Sequence, residues 1–374
     1  MSSSQNEISI LILEGESNFF QSVVNCLSQI KRVSIYLLLN KKHSEIRYSR
    51  KLLNVSYYPK AESEKEWIAT INGEINKYKI DIIMPTDEFG IETIIKNKLH
   101  KTDYSKLPIL SSLKSFNIAN NKGLLAKHLL KHAIPCPKTF FYSKNELLEN
   151  IIPNYPILIK PTKDSSGGKG IFKFKNFAEL KNHLLSNKFS CDFIIQEFIK
   201  GYDCGCNILA KEGEIKAFTI QKGSLWDDSP FSHQIGLVFL YEQQVYNIVE
   251  KLIKSLNWSG VANIDLRFDE RDRSFKVLEI NPRFWGTTEA SEIAGVNFPY
   301  LYALLSLNEE FKIPKYKHVK FLSLLGLKKT VKMNRFFIFN WSFIFSKTPI
   351  KYYMNDPLPF LFIIFNKIKT LIIL

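Results

Sequence analysis

The sequence predicts a mixed α/β (α+β) protein of three lobes, with a basic, apolar C-terminal extension. Three observations carry that prediction. The chain opens on a strand, a helix and a second strand. Joints near residues 113 and 191 divide the rest of the chain, and a charged stretch at Asp269-Glu270-Arg271-Asp272-Arg273-Ser274 separates two strands that read as an antiparallel hairpin. With 374 residues and 45% hydrophobic content, the chain can bury substantial cores and exceeds one typical domain. No internal repeat is visible, which argues against a duplicated architecture.

Residues 1–112 form the first lobe, with Ile8–Leu13 as a strand, a helix running to about Ile30, and Val33–Leu39 as the next strand. Residues 113–190 form the central lobe, which starts with a helix over Lys122–Lys131. Its apolar strand Tyr155–Pro161 ends in Lys160, and Pro161 blocks continuation into a helix. A loop rich in glycine, lysine and hydroxyls comes next (Thr162 to Ile171), leading into a strand at Ile171–Phe174. Residues 191–310 form the third lobe, with a strand at Phe193–Ile199, another at Cys204–Ala210, a turn at 211–214 and a return through Ile215–Ile220. A helix near Glu242–Leu256, the hairpin and a helix after Thr287 complete it. Residues 311–374 are the extension.

The hairpin holds the most informative chemistry. Val277-Leu278-Glu279-Ile280-Asn281-Pro282-Arg283 places Glu279 and Asn281 on one strand face, because side chains repeat with period two. Val261–Phe268 alternates likewise, with Asn263, Asp265 and Arg267 sharing a face. Folding back at the charged turn brings Asp265 opposite Glu279. Like charges so placed are unfavourable unless something positive lies between them. Asp265, Glu279 and Asn281 therefore suit one or two Mg²⁺ ions. Arg283 adds a planar fork for phosphate or carboxylate. The plainer account is a strand end with a solvated Glu, an Asn-Pro turn and a surface Arg.

In the loop, Ser166, Gly167, Gly168, Lys169 and Gly170 let backbone N–H groups approach phosphate oxygens while lysine neutralises charge. No Gly-Lys-Ser/Thr occurs at Walker spacing, and no Gly-x-Gly-x-x-Gly comes after the first strand, so neither a P-loop nor a dinucleotide fold is supported. A flexible surface hairpin is an equal reading of the loop alone. Gln196-Glu197-Phe198-Ile199 closes an apolar strand whose backbone could meet an adenine edge; taken alone, Glu197 is more often a solvated strand residue.

In this order the pieces resemble the ATP-grasp superfamily, particularly its carboxylate–amine ligase branch, from about residue 8 to 310. Other segments add to the likeness: Asp81 to Glu88, Asn121-Lys122-Gly123 opening a helix, Ala133-Ile134-Pro135-Cys136-Pro137, and Phe284-Trp285-Gly286-Thr287-Thr288. The last is similar to a bacterial subgroup often associated with cell-surface polysaccharide or peptide biosynthesis. The resemblance implies the three-lobed ATP-grasp architecture with an N-terminal Rossmann-like domain, and an ATP-dependent ligase using ATP and Mg²⁺ (two ions, with Mn²⁺ as substitute).

Carried onto these residues, it implies that Lys122 and Lys160 contact ATP phosphates and that the loop from Ser166 to Gly170 closes over them, with Lys169 near the outer end. Glu197 would read the adenine amine, supported by the backbone at Gln196, Phe198 and Ile199. Asp203 stands near where relatives often have a ribose-binding Glu, one methylene shorter here. Asp265, Glu279 and Asn281 would hold the metal, Asp265 replacing a commoner Glu. Arg283, Lys169 and Arg267 would act in the chemistry, Arg283 on the transferred phosphoryl group. A carboxylate would become an acyl phosphate and then meet an amine, without a Ser-His-Asp set. A nucleotide-binding regulatory protein that kept this fold is the alternative. The substrates would be a small-molecule carboxylate and amine, with specificity in Gln221–Gly236 and around Thr86-Asp87-Glu88.

Five scattered cysteines (Cys26, Cys136, Cys191, Cys204, Cys206) complete no zinc pattern. Met1 to Asn6 lacks a basic start, so no signal peptide is evident, and ATP use with free thiols points to the cytoplasm. From 311 to 374, twelve Lys or Arg face the single acid Asp356, giving +11 of the net +15. Two readings of this aromatic-rich segment stand: an interfacial region, over 331–374, making peripheral contact at the inner membrane face, or a helical cap packed on the third lobe. Nucleic acid is disfavoured, because the basic residues belong to no recognisable binding module.

Overall fold

The computed structural model describes residues 6–13, 19–40, 44–58, 63–97, 104–141, 155–163, 170–186, 192–228, 234–362, 364 and 365. The N-terminal sheet is parallel, with strands β1 (Ile8–Leu13), β2 (Val33–Leu39), β3 (Asn54–Tyr57) and β4 (Ile82–Pro85) in the order β3-β2-β1-β4. Its central strand is a nearly continuous apolar run, as a parallel strand covered on both faces requires. The covering helices are α1 (Phe19–Leu27), α2 (Glu64–Tyr78) and α3 (Glu88–Asn97). In α2, Ser63 caps the N-terminus by accepting from Glu66 N, and Trp67, Ile68, Ile71 and Ile75 recur on the buried stripe.

Helices α4 (Leu113–Ala119) and α5 (Lys122–Lys131) precede a four-stranded antiparallel sheet. Its strands are β5 (Thr139–Phe141), β6 (Ile157–Pro161), β7 (Phe172–Phe174) and β8 (Phe193–Glu197), in the order β5-β8-β6-β7, backed by α6 (Phe177–Ser186). Two placements differ from the sequence reading. Strand β8, expected in the third lobe, pairs with β5 and β6. Phe116, Leu125 and Leu129 of α4 and α5, expected in the central lobe, pack in the core of the large sheet. Among the described residues the small sheet's core gathers around Ile157, Ile159 and Ile195, while the apolar faces of α4 and α5 cover surface on the larger sheet.

The large sheet contains β9 (Asp203–Lys211), β10 (Glu214–Trp226), β11 (Gln234–Phe239), β12 (Gly260–Asp269), β13 (Ser274–Asn281) and β14 (Lys320–Leu322), in the order β13-β12-β9-β10-β11-β14. Helix α7 (Gln243–Ser255) covers one face with Val245, Ile248, Val249, Leu252 and Ile253 at helical spacing. Cys204 and Cys206 lie in that same core as small apolar residues. The opposite face carries the site.

Helices α8 (Thr288–Ala294) and α9 (Phe298–Ser306) join the lobes. Phe284, Trp285, Phe298 and Tyr302 share one core with Ile10, Ile12 and Met84 of the N-terminal sheet and with Leu209 and Val261 of the large sheet. Each large side chain fully buried there contributes about 2–3 kcal/mol. The extension then adds β14 to the edge of β11 and continues through α10 (Leu324–Met333), α11 (Trp341–Lys347) and α12 (Ile350–Asn355). Tyr352 is buried against α8, where Lys351 Nζ lies 2.7 Å from Glu292, and Asp356 accepts from Ser49 and from Arg50 N. No helix among the described residues is long and apolar enough to cross a membrane.

Glu289 of α8 accepts a hydrogen bond from Asn25 of α1, and Lys51 Nζ reaches Asn25 Oδ1 at 3.0 Å. Burial pushes the Glu289 carboxyl up to about 7, against the pull of Asn25 and Lys51. The folded state therefore holds a proton that the unfolded state releases above the ordinary Glu value. Stability is full below that value and falls as pH rises towards 7, by about 3 kcal/mol at most. In Glu289→Gln, which keeps the bond from Asn25, thermal melts between pH 5 and 7.5 should lose this contribution to the slope.

Candidate active site

The site begins with strand register. β12 and β13 pair so that Asn263 faces Asn281 and Asp265 faces Glu279, with a bulge beside Asp265. The two carboxylates thus confront each other on a half-buried sheet face. Burial first, and then the Glu279 charge, hold the Asp265 carboxyl well above the usual carboxylate range. Glu279 stays ionised: although burial opposes it, Lys122 and then Lys160 hold its carboxyl below the usual value.

Lys122 reaches Glu279 because two bonds fix the start of α5. Asn121 caps the helix by accepting from Leu124 N at 2.9 Å, and Lys122 N donates to Thr162 O at 2.9 Å, beside the end of β6. Its Nζ lies 3.0 Å from Glu279 Oε2. On β6, Lys160 is buried and donates to Gln196 Oε1 at 2.8 Å; Gln196 in turn donates to Thr139 Oγ1 at 3.0 Å. Burial lowers the Lys160 ammonium to about 8, partly opposed by Glu279.

A polar ladder beneath the carboxylates was not foreseen from sequence. Asn281 Nδ2 donates to Asn263 Oδ1 (2.9 Å) and to Asp265 Oδ2 (3.2 Å). Asn263 donates to Asn207 Oδ1 (3.0 Å), and Asn207 to Gln221 Oε1 (2.9 Å) and Ser291 Oγ (3.2 Å). These residues cross four strands and reach α8, leaving their buried amides satisfied. The available signal was Asn207, the polar side chain inside the apolar run Cys204–Ala210.

Arg283 lies at the N-terminal lobe. Its Nε donates to Glu88 Oε1 at 2.6 Å, one terminal nitrogen to Phe284 O at 2.9 Å, and the other to Asn281 Oδ1 at 3.3 Å, while the guanidinium stacks 4.2 Å from the Phe19 ring centre. Glu88 belongs to the segment expected to set specificity, but its partner is nearly two hundred residues away.

At the hinge, three side chains expected at the nucleotide already have protein partners. Glu197 does not present a free carboxylate to a base: one oxygen accepts from Lys138 N at 2.8 Å and the other pairs with Arg271 at 3.0 Å, because the hairpin tip folds over the strand end. Asp203 is engaged by Arg267 rather than open to a ribose. Arg267 itself donates to Ile199 O (2.7 Å) and Gly201 O (2.8 Å), so its fork braces the hinge instead of facing the carboxylates. Gly201 has φ +152°, and a Cβ there would lie 1.9 Å from Phe268 O, so only glycine allows hinge and hairpin to cross so closely. The Phe198 ring lies 3.5 Å below Lys173 Nζ. Ser166, Gly167, Gly168 and Lys169 lie outside the described residues; Gly170, just past them, leads into β7.

The structure thus brings together Lys122, Lys160, Asp265, Glu279 and Asn281, with Arg283 at one end and the Gln196–Ile199 segment at the other. Among the described residues no three His, Cys, Asp or Glu side chains cluster. The donor set is a carboxylate pair plus Asn281, and the raised Asp265 carboxyl marks a deficit of positive charge that a hard divalent cation would relieve. Asn281 turns its carboxamide nitrogen to Asp265 and its oxygen to Arg283, so it can join such a cation only with the carboxamide turned over.

Residues 119–287 match the family described as the ATP-grasp domain. The chain is 22% identical over 309 residues to the D-aspartate ligase of Enterococcus faecium, covering 76% of this chain and 73% of that protein. It is 28% identical over 180 residues to the D-alanine–D-alanine ligase of Francisella tularensis, covering 46% of this chain and 59% of that one. It therefore spans less than two thirds of the latter. The fold is similar, with a TM-score of 0.68 and 14% identity, to N5-carboxyaminoimidazole synthetase from Staphylococcus aureus complexed with ADP, over 89% of this chain and 86% of that one.

The electrostatics of the carboxylate pair and of Lys160 can each be tested. Asp265→Asn should melt no lower than the wild type without metal, because it removes the facing charge, yet gain at least tenfold less Mg²⁺-dependent nucleotide affinity. With Lys160 titrating near 8, nucleotide binding at pH 8–8.5 should draw a proton onto it. Calorimetry in buffers of different ionisation enthalpy should register that uptake, and Lys160→Met should abolish it.

Proposed function

We propose that this chain, whose residues 119–287 match the ATP-grasp domain, is a ligase that joins a small carboxylate to an amine by way of an acyl phosphate. The observation that carries this reading is the convergence of Lys122, Lys160, Asp265 and Glu279 in one cluster, with the Arg283 fork beside it. The lysines offer donors to a triphosphate and the carboxylates a seat for a divalent cation, and phosphoryl transfer requires neutralisation and alignment more than covalent help.

In the proposed reaction a substrate carboxylate oxygen bonds to the γ-phosphorus of ATP while the bond from that phosphorus to the bridging oxygen breaks, and ADP leaves with the electron pair. The amine then bonds to the acyl carbon, the carbon–oxygen bond to phosphate breaks, and the amine's proton passes to solvent. Lys160 and Lys122 hold phosphate oxygens throughout. Arg283, swung from Glu88 or shared with it, meets charge on the transferring group. The segment from Gln196 to Ile199, braced by Arg267 and Asp203, seats the base with backbone groups and the Phe198 ring. The stretch from Ser166 to Gly170, including Lys169, offers by its composition the glycines and the lysine that suit phosphate oxygens. Asp265 and Glu279, with Asn281, are the residues that would hold Mg²⁺, one ion or two, or Mn²⁺ in its place; such ions supply positive charge to the triphosphate.

The names D-aspartate ligase and D-alanine–D-alanine ligase make amino acids the first substrates to test, and a role in cell-surface polysaccharide or peptide biosynthesis fits with them. The free thiols of Cys26, Cys136, Cys204 and Cys206 and the use of ATP favour the cytoplasm.

Phosphate release from Mg·ATP should be measured against pooled D- and L-amino acids and sugar acids. Release that depends on one carboxylate and falls by about a hundredfold or more in Glu279→Gln is the expected result. Nucleotide binding with no carboxylate-stimulated release from any pool would instead indicate a regulatory nucleotide binder.

A further inference from the structure

The extension is anchored on either side of an apolar tip that no described residue covers. At its base, Gly326 crosses β11 so closely that a Cβ would meet Ile235 O at 2.1 Å, and Lys329 Nζ donates to Trp226 O at 2.9 Å. Towards its far end, Ile344 and Tyr352 are buried. Between these anchors, Met333 is 74% exposed, Phe336 80%, Phe339 68% and Trp341 58%, with Ile338 nearly half exposed. Their display is encoded locally. Asn334 caps the short 3₁₀ turn Arg335–Phe339 by accepting from Phe336 N at 3.1 Å, and Asn340 caps α11 by accepting from Phe343 N at 3.2 Å. Phe337 packs on Phe343, and Trp341 stacks on Phe345. The tip is thus a built element whose aromatic residues point away from the protein.

Apart from Asp228, just past the end of β10, which pairs with Lys329 at the base, the charge around the tip is of one sign. Lys328, Lys332, Arg335 and Lys347 flank the apolar residues and form no ion pair among the described residues, and the extension's single acid, Asp356, is turned inward onto Ser49 and Arg50 N. We propose that this tip docks the protein on an anionic lipid bilayer, seating Phe336, Phe339 and Trp341 among the acyl chains and the basic residues at the headgroups. A second copy fits less well, because two such faces would bring lysines against lysines. The elements here are far shorter than a spanning helix, so contact is peripheral. Membrane docking of this kind is independent of the ligase reaction.

The full chain should be sedimented with vesicles of phosphatidylcholine alone and of phosphatidylcholine mixed equally with phosphatidylglycerol, at low and high salt. Binding is expected only with the anionic lipid and should weaken with salt. The triple variant Phe336→Ser, Phe339→Ser, Trp341→Ser should lose at least tenfold in partitioning while its melting point is unchanged, since the residues are exposed. Lys332→Glu with Arg335→Glu provides a second reading should the triple variant fail to fold. Absence of wild-type binding, or unchanged binding by a folded variant, overturns the proposal. So would a concentration-dependent dimer that the variants abolish without any vesicle binding, which would make the face a self-association surface.

Discussion

Two carboxylates placed opposite each other on a half-buried strand pair repel, and much of the surrounding structure offsets that repulsion. The register of β12 and β13 forces Asp265 towards Glu279. Lys122, delivered by a capped helix start, settles the charge on Glu279, and Lys160 adds a second positive centre from the central sheet. What the lysines leave uncompensated collects on Asp265. A site in this state is poised for a ligand that brings cation and phosphate together, because each offsets a charge the protein alone leaves strained. The amide ladder through Asn281, Asn263 and Asn207 holds the strands in register without adding charge.

The lobes are coupled to this centre by different means. The N-terminal sheet is joined to the large sheet through a continuous apolar core around Phe284, Trp285 and Phe298, which favours a fixed relation. Across the same boundary Arg283 reaches Glu88, so the motif that bears Glu279 ends on a residue of the first lobe. Among the described residues the central sheet is tied by polar contacts, through Lys122 to Thr162 and Glu197 to Arg271 at the hairpin tip. Its core among the described residues gathers around Ile157, Ile159 and Ile195. Polar ties of this kind can be remade with little loss of buried apolar area, which suits a lobe that must admit and release a nucleotide. The extension combines both modes, with apolar anchors on either side of an aromatic tip that no described residue covers.

Much of this was legible in the sequence. Period-two alternation in Val261–Phe268 and Phe275–Ile280, with a charged turn between them, was enough to set Asp265 against Glu279, because hairpin register depends on local chain geometry. Lys160 at the end of its strand and Lys122 at a helix start were likewise readable, and so were the helices over 243–255 and 288–294, whose spacing and caps are local.

Contacts between residues far apart in the chain required the tertiary structure. The partners of Glu197, Asp203 and Arg283 are Arg271, Arg267 and Glu88, and none could be read from spacing, since two depend on how one lobe lies over another and the Asp203–Arg267 pair on which strands of the large sheet are neighbours. Nor could the sequence say that β8 pairs within the small sheet while α4 and α5 pack beneath the large one: an apolar strand or helix specifies that it must be covered, not by which surface. The sequence by itself determined the elements, the hairpin and the types of charge in the site. Tertiary packing decided which charges are already paired, because a long side chain has many polar groups within reach of its length and only the folded chain brings one of them to it.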